Sequence, residues 1–278
     1  MKTIKLAMLA FALLGLPLAI LGQASTNPDS NLLPQEPRSA TIWQKPPGWF
    51  ESVPGGWRSV NSPWQVSIAS NLNQLGAISL ITPEDHVSFR AVPVALSYVD
   101  PVTQSNVLIA LPKNSVGYLA SSNQIVFPDC WEGLPGVACR YTLRHHSFSQ
   151  DILIQGELPD PARYGLKPAG LRIQVWSEST ESPEPQIRTR TLLPESQTNT
   201  MTRSGDTTNL PPWIDEHLSF GKAAMIAGKA FVQAMPQTGK QQTINLVPRV
   251  VPVVKRWIKS GQRTFIVEEI DYEQVKLM

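Results

Sequence analysis

What this sequence has least of is the apparatus of catalysis and metal binding. It contains two cysteines and four histidines in 278 residues. It has no Gly-x-Ser-x-Gly elbow, no His-Glu-x-x-His pair, no phosphate loop and no dinucleotide fingerprint. An apolar i, i+3, i+4, i+7 stripe long enough for a crossover helix is missing as well, which disfavours a parallel α/β sheet. Nor is there an excess of one charge: Lys and Arg number 24 against 22 Asp and Glu. Two of the basic residues, Lys2 and Lys5, lie in a segment that reads as removable, so the remainder is formally neutral. A neutral, evenly mixed chain offers no electrostatic footprint for nucleic acid or an anionic membrane surface.

That removable segment is residues 1–24. Met1-Lys2-Thr3-Ile4-Lys5 is basic, and Leu6 to Leu21 is apolar, broken only by Gly15 and Pro17. Gly22-Gln23-Ala24 then puts small residues where a signal peptidase reads, which predicts cleavage before Ser25 and no transmembrane helix thereafter. The competing reading is an uncleaved anchor, for which the run is short against the roughly 20 apolar residues that a span needs. No cysteine follows the run, which argues against a lipid-anchored form.

Residues 25–63 are dense in proline and turn residues and read as an extended leader, since proline removes donors that a sheet ladder needs. Trp43, Trp49, Phe50 and Trp57 suggest that part of it docks on the folded body, because disordered segments are usually aromatic-poor. From residue 64 the period becomes two. Gln65 to Ile68, Ala77 to Ile81 and Val87 to Tyr98, with Phe89 on one face and Arg90 on the other, read as strands separated by Gly, Pro, Asn and Asp. Val137 to Arg144, Ser149 to Ile154 and Leu171 to Trp176 continue the pattern. A main β module over 64–176, a polar linker over 177–212 with one possible strand at Gln186 to Leu193, and a β segment over 213–278 closing in a hairpin follow. Single helical turns are expected at Asp160 to Tyr164 and Glu273 to Leu277. The fold expected is an all-β, antiparallel sandwich-like module with few short helices and possibly two packed subdomains.

Ile125-Val126-Phe127-Pro128-Asp129-Cys130-Trp131-Glu132-Gly133, then Cys139-Arg140-Tyr141-Thr142-Leu143 and Gln150-Asp151-Ile152-Leu153-Ile154, form a set with a familiar order. The set resembles the N-terminal β modules of large secreted bacterial surface proteins, of the Verrucomicrobia type and associated with Rhs repeats. The likeness runs from about Val87 to Tyr272. It implies a β-sandwich-like, non-catalytic head and carries no catalytic residues. Cys130 and Cys139 depart from that pattern.

Those two cysteines are close in sequence, and Cys139 shares a strand face with Tyr141 and Leu143. In an exported chain they are expected to form a disulfide, the alternative being two buried thiols. His145 and His146 are neighbours on a strand or its turn and cannot ligate one ion together from opposite faces, so an exposed turn end is expected. Asp129 is read as a turn residue whose carboxylate accepts backbone hydrogen bonds. Glu268, Glu269 and Asp271 could supply oxygen ligands to calcium, but adjacent carboxylates on a strand diverge. No cofactor or metal is expected. Trp49, Trp57 and Trp131 are the aromatics that a glycan could stack on. The reading is therefore an exported, non-catalytic structural or interaction module of the cell surface or extracytoplasmic space, with a surface protein or glycan as partner. A carbohydrate-binding or carbohydrate-active protein is the alternative, since a glycosidase's carboxylate pair carries no local motif.

Overall fold

A computed structural model describes residues 3–13, 48–192, 213–233 and 250–278. In chain order the strands are β1(Thr3–Leu13), β2(Trp49–Val53), β3(Gly56–Val60), β4(Gln65–Ala69), β5(Ile78–Ile81), β6(Ser88–Asp100), β7(Ser105–Ala110), β8(Tyr118–Ser121) and β9(Gln124–Phe127). They continue as β10(Val137–Arg144), β11(Ser147–Ile154), β12(Arg172–Glu181), β13(Gln186–Leu192), β14(Trp213–Phe220), β15(Ala223–Ile226), β16(Gly228–Gln233), β17(Val250–Ser260) and β18(Arg263–Asp271). A 3-10 turn at Pro161–Tyr164 and a terminal α-helix at Tyr272–Lys276 stand at the two places where single helical turns are expected. Asp160 caps the first by accepting from the Ala162 amide, and Asp271 caps the second by accepting from Gln274.

Every strand pairing is antiparallel, and the strands make the expected all-β, sandwich-like fold. One sheet, here sheet B, runs β2–β3–β4–β5–β6–β12–β18–β17, with β7 beside the far half of β6. The facing sheet A runs β8–β9–β10–β11–β1, after which β1 meets β16 along Thr3–Ala7 and β15 along Ala10–Leu13. Beyond these, β15 leads to β14 and β13, and β16 leads to β17. β17 thus serves both sheets, Val250–Val253 pairing in sheet A and Val254–Ser260 in sheet B.

The period-two pattern acts as expected. In β4, Val66 and Ile68 are buried while Gln65 and Ser67 face water, and in β6 Phe89 is buried while Arg90 is exposed. Between the sheets an edge-to-face series of rings links Trp57 to Phe127 and Phe127 to Tyr141, with centroids 6.1 and 6.0 Å apart, and Tyr141 stacks on Phe148 at 6.0 Å. Such contacts add about 0.5–1.5 kcal/mol per pair beyond burial. β10 and β11 are buried on both faces: Cys139, Tyr141 and Leu143 point into the sandwich, while Ala138 and Leu153 join Val126 in a small cluster on the other side.

In two places the described strands cross the expected segment boundaries. Trp49–Val60 is a hairpin of sheet B and no part of a linker: its only proline, Pro54, sits in the turn, where no ladder donor is needed. The strand at 186–192 pairs fully with β14, and one continuous core takes residues from 64–176 and 213–278 alike, so the polar stretch does not divide the interior. Thr3–Leu13, inside the expected signal, lies as a strand in the middle of sheet A. Residues 14–47, including the predicted cleavage point and Trp43, lie outside the described residues, as do 193–212 and 234–249.

Candidate functional site: a one-strand slot in sheet A

The residues singled out from sequence do not converge. Trp131 is fully buried and Trp57 nearly so, both within the core, so their rings pack against protein; Trp49, half-buried at the start of β2, keeps some exposure. Cys139 on β10 and Cys130 in the preceding turn are both buried as free thiols with Sγ atoms 3.2 Å apart, in contact but unbonded. Burial, and then the neighbouring Cys130, push the Cys139 thiol well above its usual range. His145 and His146 form the exposed two-residue turn between β10 and β11, as expected. Asp129 is in a turn, but its carboxylate pairs with Lys113 Nζ at 2.7 Å, where backbone amides were expected as its partners.

The C-terminal carboxylates part as neighbours on a strand must. Glu269 accepts from Arg172 at 3.0 Å, from the Gln174 amide at 3.2 Å and from Arg256. Gln174 Oε1 in turn accepts from Ser97, Asn106 and Trp176. Glu268 stands opposite Lys255 in the β17–β18 register. Lys255 Nζ donates to Asp215 Oδ1 at 3.2 Å with both side chains buried, and burial lowers the lysine's pKa against the pull of Asp215. On the outer face of β10–β11, Arg140 and the buried Asp151 pair at 3.0 Å. Among the described residues no group of three His, Cys, Asp or Glu side chains could hold a metal ion. A small apolar void of about 20 Å³ between Phe89, Phe148, Met225 and Ile266, and a shallow groove along β3–β5, are lined by no titratable side chain.

Among the described residues, the lane that β1 fills in sheet A is one strand wide with a paired strand on either side. On one side β1 pairs with β11, Ile4 standing opposite Ile154, Leu6 opposite Ile152, Met8 opposite Gln150 and Phe11 opposite Phe148, with a bulge between Met8 and Ala10. On the other side Leu6 stands opposite Ala230, Phe11 opposite Met225 and Leu13 opposite Ala223. Ile152, Ile154, Phe148, Met225, Ala230 and Ala223 are all buried core residues. Two of the three partners on the β15–β16 side, Ala230 and Ala223, are small. Gln150 is fully buried; its Oε1 accepts from Tyr141 Oη at 2.8 Å, while its Nε2 finds no hydrogen-bond partner among the described residues. Sequence reasoning missed this lane because the Thr3–Leu13 run satisfies two patterns at once, an export signal and an apolar strand.

Among the described residues no helix is long and apolar enough to cross a membrane. Compared with known proteins, the chain matches no family model, no curated protein and no solved structure.

Proposed function

We propose that this chain is an exported, non-catalytic interaction module of the bacterial cell surface or extracytoplasmic space, released from residues 1–24 before Ser25. The reading rests on the export pattern of the N-terminus and on the resemblance of 87–272 to the heads of secreted surface proteins. The observation that carries its non-catalytic part is that the buried charges answer one another inside the walls. Arg172 and Arg256 meet Glu269, Lys255 meets Asp215, and Arg140 meets Asp151, and none of them lines the apolar void or the β3–β5 groove. Buried pairs of this kind hold a fold in one arrangement. Oxidation of Cys130 and Cys139 to a disulfide belongs to the same proposal, since two thiols already in contact need only a small approach in an oxidising compartment.

The test is binding of the protein from Ser25 onward to a glycan array and to envelope fractions, with tryptophan fluorescence followed in parallel. Retention by envelope protein with silence on glycans is expected. Saturable glycan binding that quenches fluorescence, and is lost in Trp49→Ala, would overturn the protein-interaction reading in favour of carbohydrate recognition.

A further inference from the structure

The residues that complete sheet A are the residues that export would remove. β1 forms paired positions with β11 over Ile4–Ala12 and with β16 and β15 over Thr3–Leu13. Taking it away leaves β11 on one side and β15–β16 on the other with unanswered backbone donors and acceptors, beside an apolar floor of Ile152, Ile154, Phe148 and Met225. Unpaired backbone groups at such a buried lane are costly, and an open edge is a template for another strand. Resting on the export reading above, the geometry points to a β-strand from a partner protein as the occupant of this lane in the mature molecule.

By composition and connectivity, no other segment of the chain is suited to that lane. The lane takes the eleven residues Thr3–Leu13. Between Ser25 and Gly48 the longest stretch free of proline is Arg38–Lys45, eight residues bracketed by Pro37 and Pro46, and proline is excluded from central strands. The 193–212 segment joins Leu192 to Trp213, which are partners across β13–β14, and 234–249 joins β16 to its neighbour β17. A loop whose ends lie side by side must both enter and leave, and the slot has a single lane.

The lane also specifies the chemistry of the occupant. It runs antiparallel to both neighbours, is extended and free of proline, and wants large apolar side chains at the register positions of Ile4, Leu6 and Phe11. At the position of Met8 it wants a hydrogen-bond acceptor, because that position faces Gln150, whose Nε2 is buried without a partner.

The experiment uses the chain from Ser25 to Met278 and a synthetic peptide of residues 3–13 carrying three added C-terminal lysines for solubility. Saturable binding is expected, with a rise in Tm and protection of the Ser147–Ile154 amides from hydrogen exchange. A Leu6→Pro peptide is expected not to bind, and a Met8→Asn peptide to bind about fivefold tighter through one added hydrogen bond. A weaker Met8→Asn peptide would overturn the role given to Gln150. Should the chain not fold alone, it is refolded with the peptide present: rescue supports the proposal, and failure of the wild-type peptide to rescue overturns it. Protection, without peptide, of the β11 amides that point away from β10, in a monomer or a homodimer, overturns it too, since the lane is then closed by the chain itself or by a second copy. The N-terminal residue of the exported protein is read separately by mass. Finding residues 3–13 still attached overturns the export reading, whereas a Ser25 start with a closed lane overturns only the slot.

Discussion

Sheets A and B bury the same core but are completed differently. Sheet B is assembled from neighbours in sequence on one flank, β2 to β7, and from the β17–β18 hairpin on the other, with β12 between. Its outer face is tied down by Glu269, Arg172, Arg256 and Gln174. Among the described residues, the strands β8–β11 of sheet A pair with those of β13–β17 only through β1. A sheet closed by local hairpins carries its own cohesion; one closed by a strand from the far end of the chain depends on that strand staying. On the slot proposal, sheet A is the exchangeable one and sheet B the permanent one.

The sharpest way to break this comparison is to remove β1. In a chain beginning at Ser25, with no peptide added, amides of Ser147–Ile154 and Ala223–Val232 should exchange faster by on the order of 100-fold or more, while those of β6 and β12 hold. Equal acceleration in both sheets would erase the distinction. Next in size is the crossing point of the sheets. Lys255→Met strips Asp215 of its buried partner and should cost about 3–5 kcal/mol in denaturant unfolding, whereas Lys255→Met with Asp215→Leu should cost much less. An equal cost for the single and double variants would show that the pair's charge is not what matters there.

A third test concerns the wall of sheet A beside the slot. Oxidising Cys130 and Cys139 closes a loop of about ten residues and should raise stability by about 2–3 kcal/mol, seen as a Tm that falls on adding reductant and as a mass two hydrogens lower in the exported protein. The smallest effect is expected at a tie between the sheets. Asp85 accepts from Thr82 Oγ1 at 2.6 Å and from the Lys222 amide at 2.7 Å, and the Thr82 bond leads in holding its carboxyl below the usual 3.8. A lowered folded value means stability present above the unfolded value and lost as pH falls through the folded one. Asp85→Asn should therefore cost about 1 kcal/mol at pH 7 and flatten the acid limb of the stability curve below pH 4 or so. Gly221, at φ 65°, lies against this carboxylate, and a Cβ there would meet Asp85 Oδ2 at 2.0 Å. The turn can therefore carry only glycine.

Much of the fold is legible in the sequence where one face of a strand is wet. Gln65–Ala69 and Ser88–Asp100 stand where the period-two pattern puts them, and the closing hairpin turns at Gly261. What resisted reading has physical reasons. Trp49–Val60 carries enough neighbouring proline to look like a linker, because composition does not say that Pro54 falls in the turn itself. Ala223–Ile226 is too short and too small-chained to declare a strand, and it is one only because β1 and β14 flank it. Trp57 and Trp131 offered two futures, platform or core, and a linear pattern cannot tell which side of the wall a ring falls on. The slot was illegible for a deeper reason: the residues of β1 carry the pattern of an export signal and the pattern of an apolar strand at once.

The sharing of β17 between the sheets bears on mechanics. Val250–Val253 pairs with β16, which flanks the slot, and the same strand continues as Val254–Ser260 against β18. Tension on a strand seated in the slot and pulled along its length loads its hydrogen bonds in parallel, so that they resist together in shear instead of unzipping one by one. Such a load would pass through β16 into β17, and so from sheet A into sheet B. A partner strand held in the slot would in this way be anchored through the hairpins of the opposite sheet.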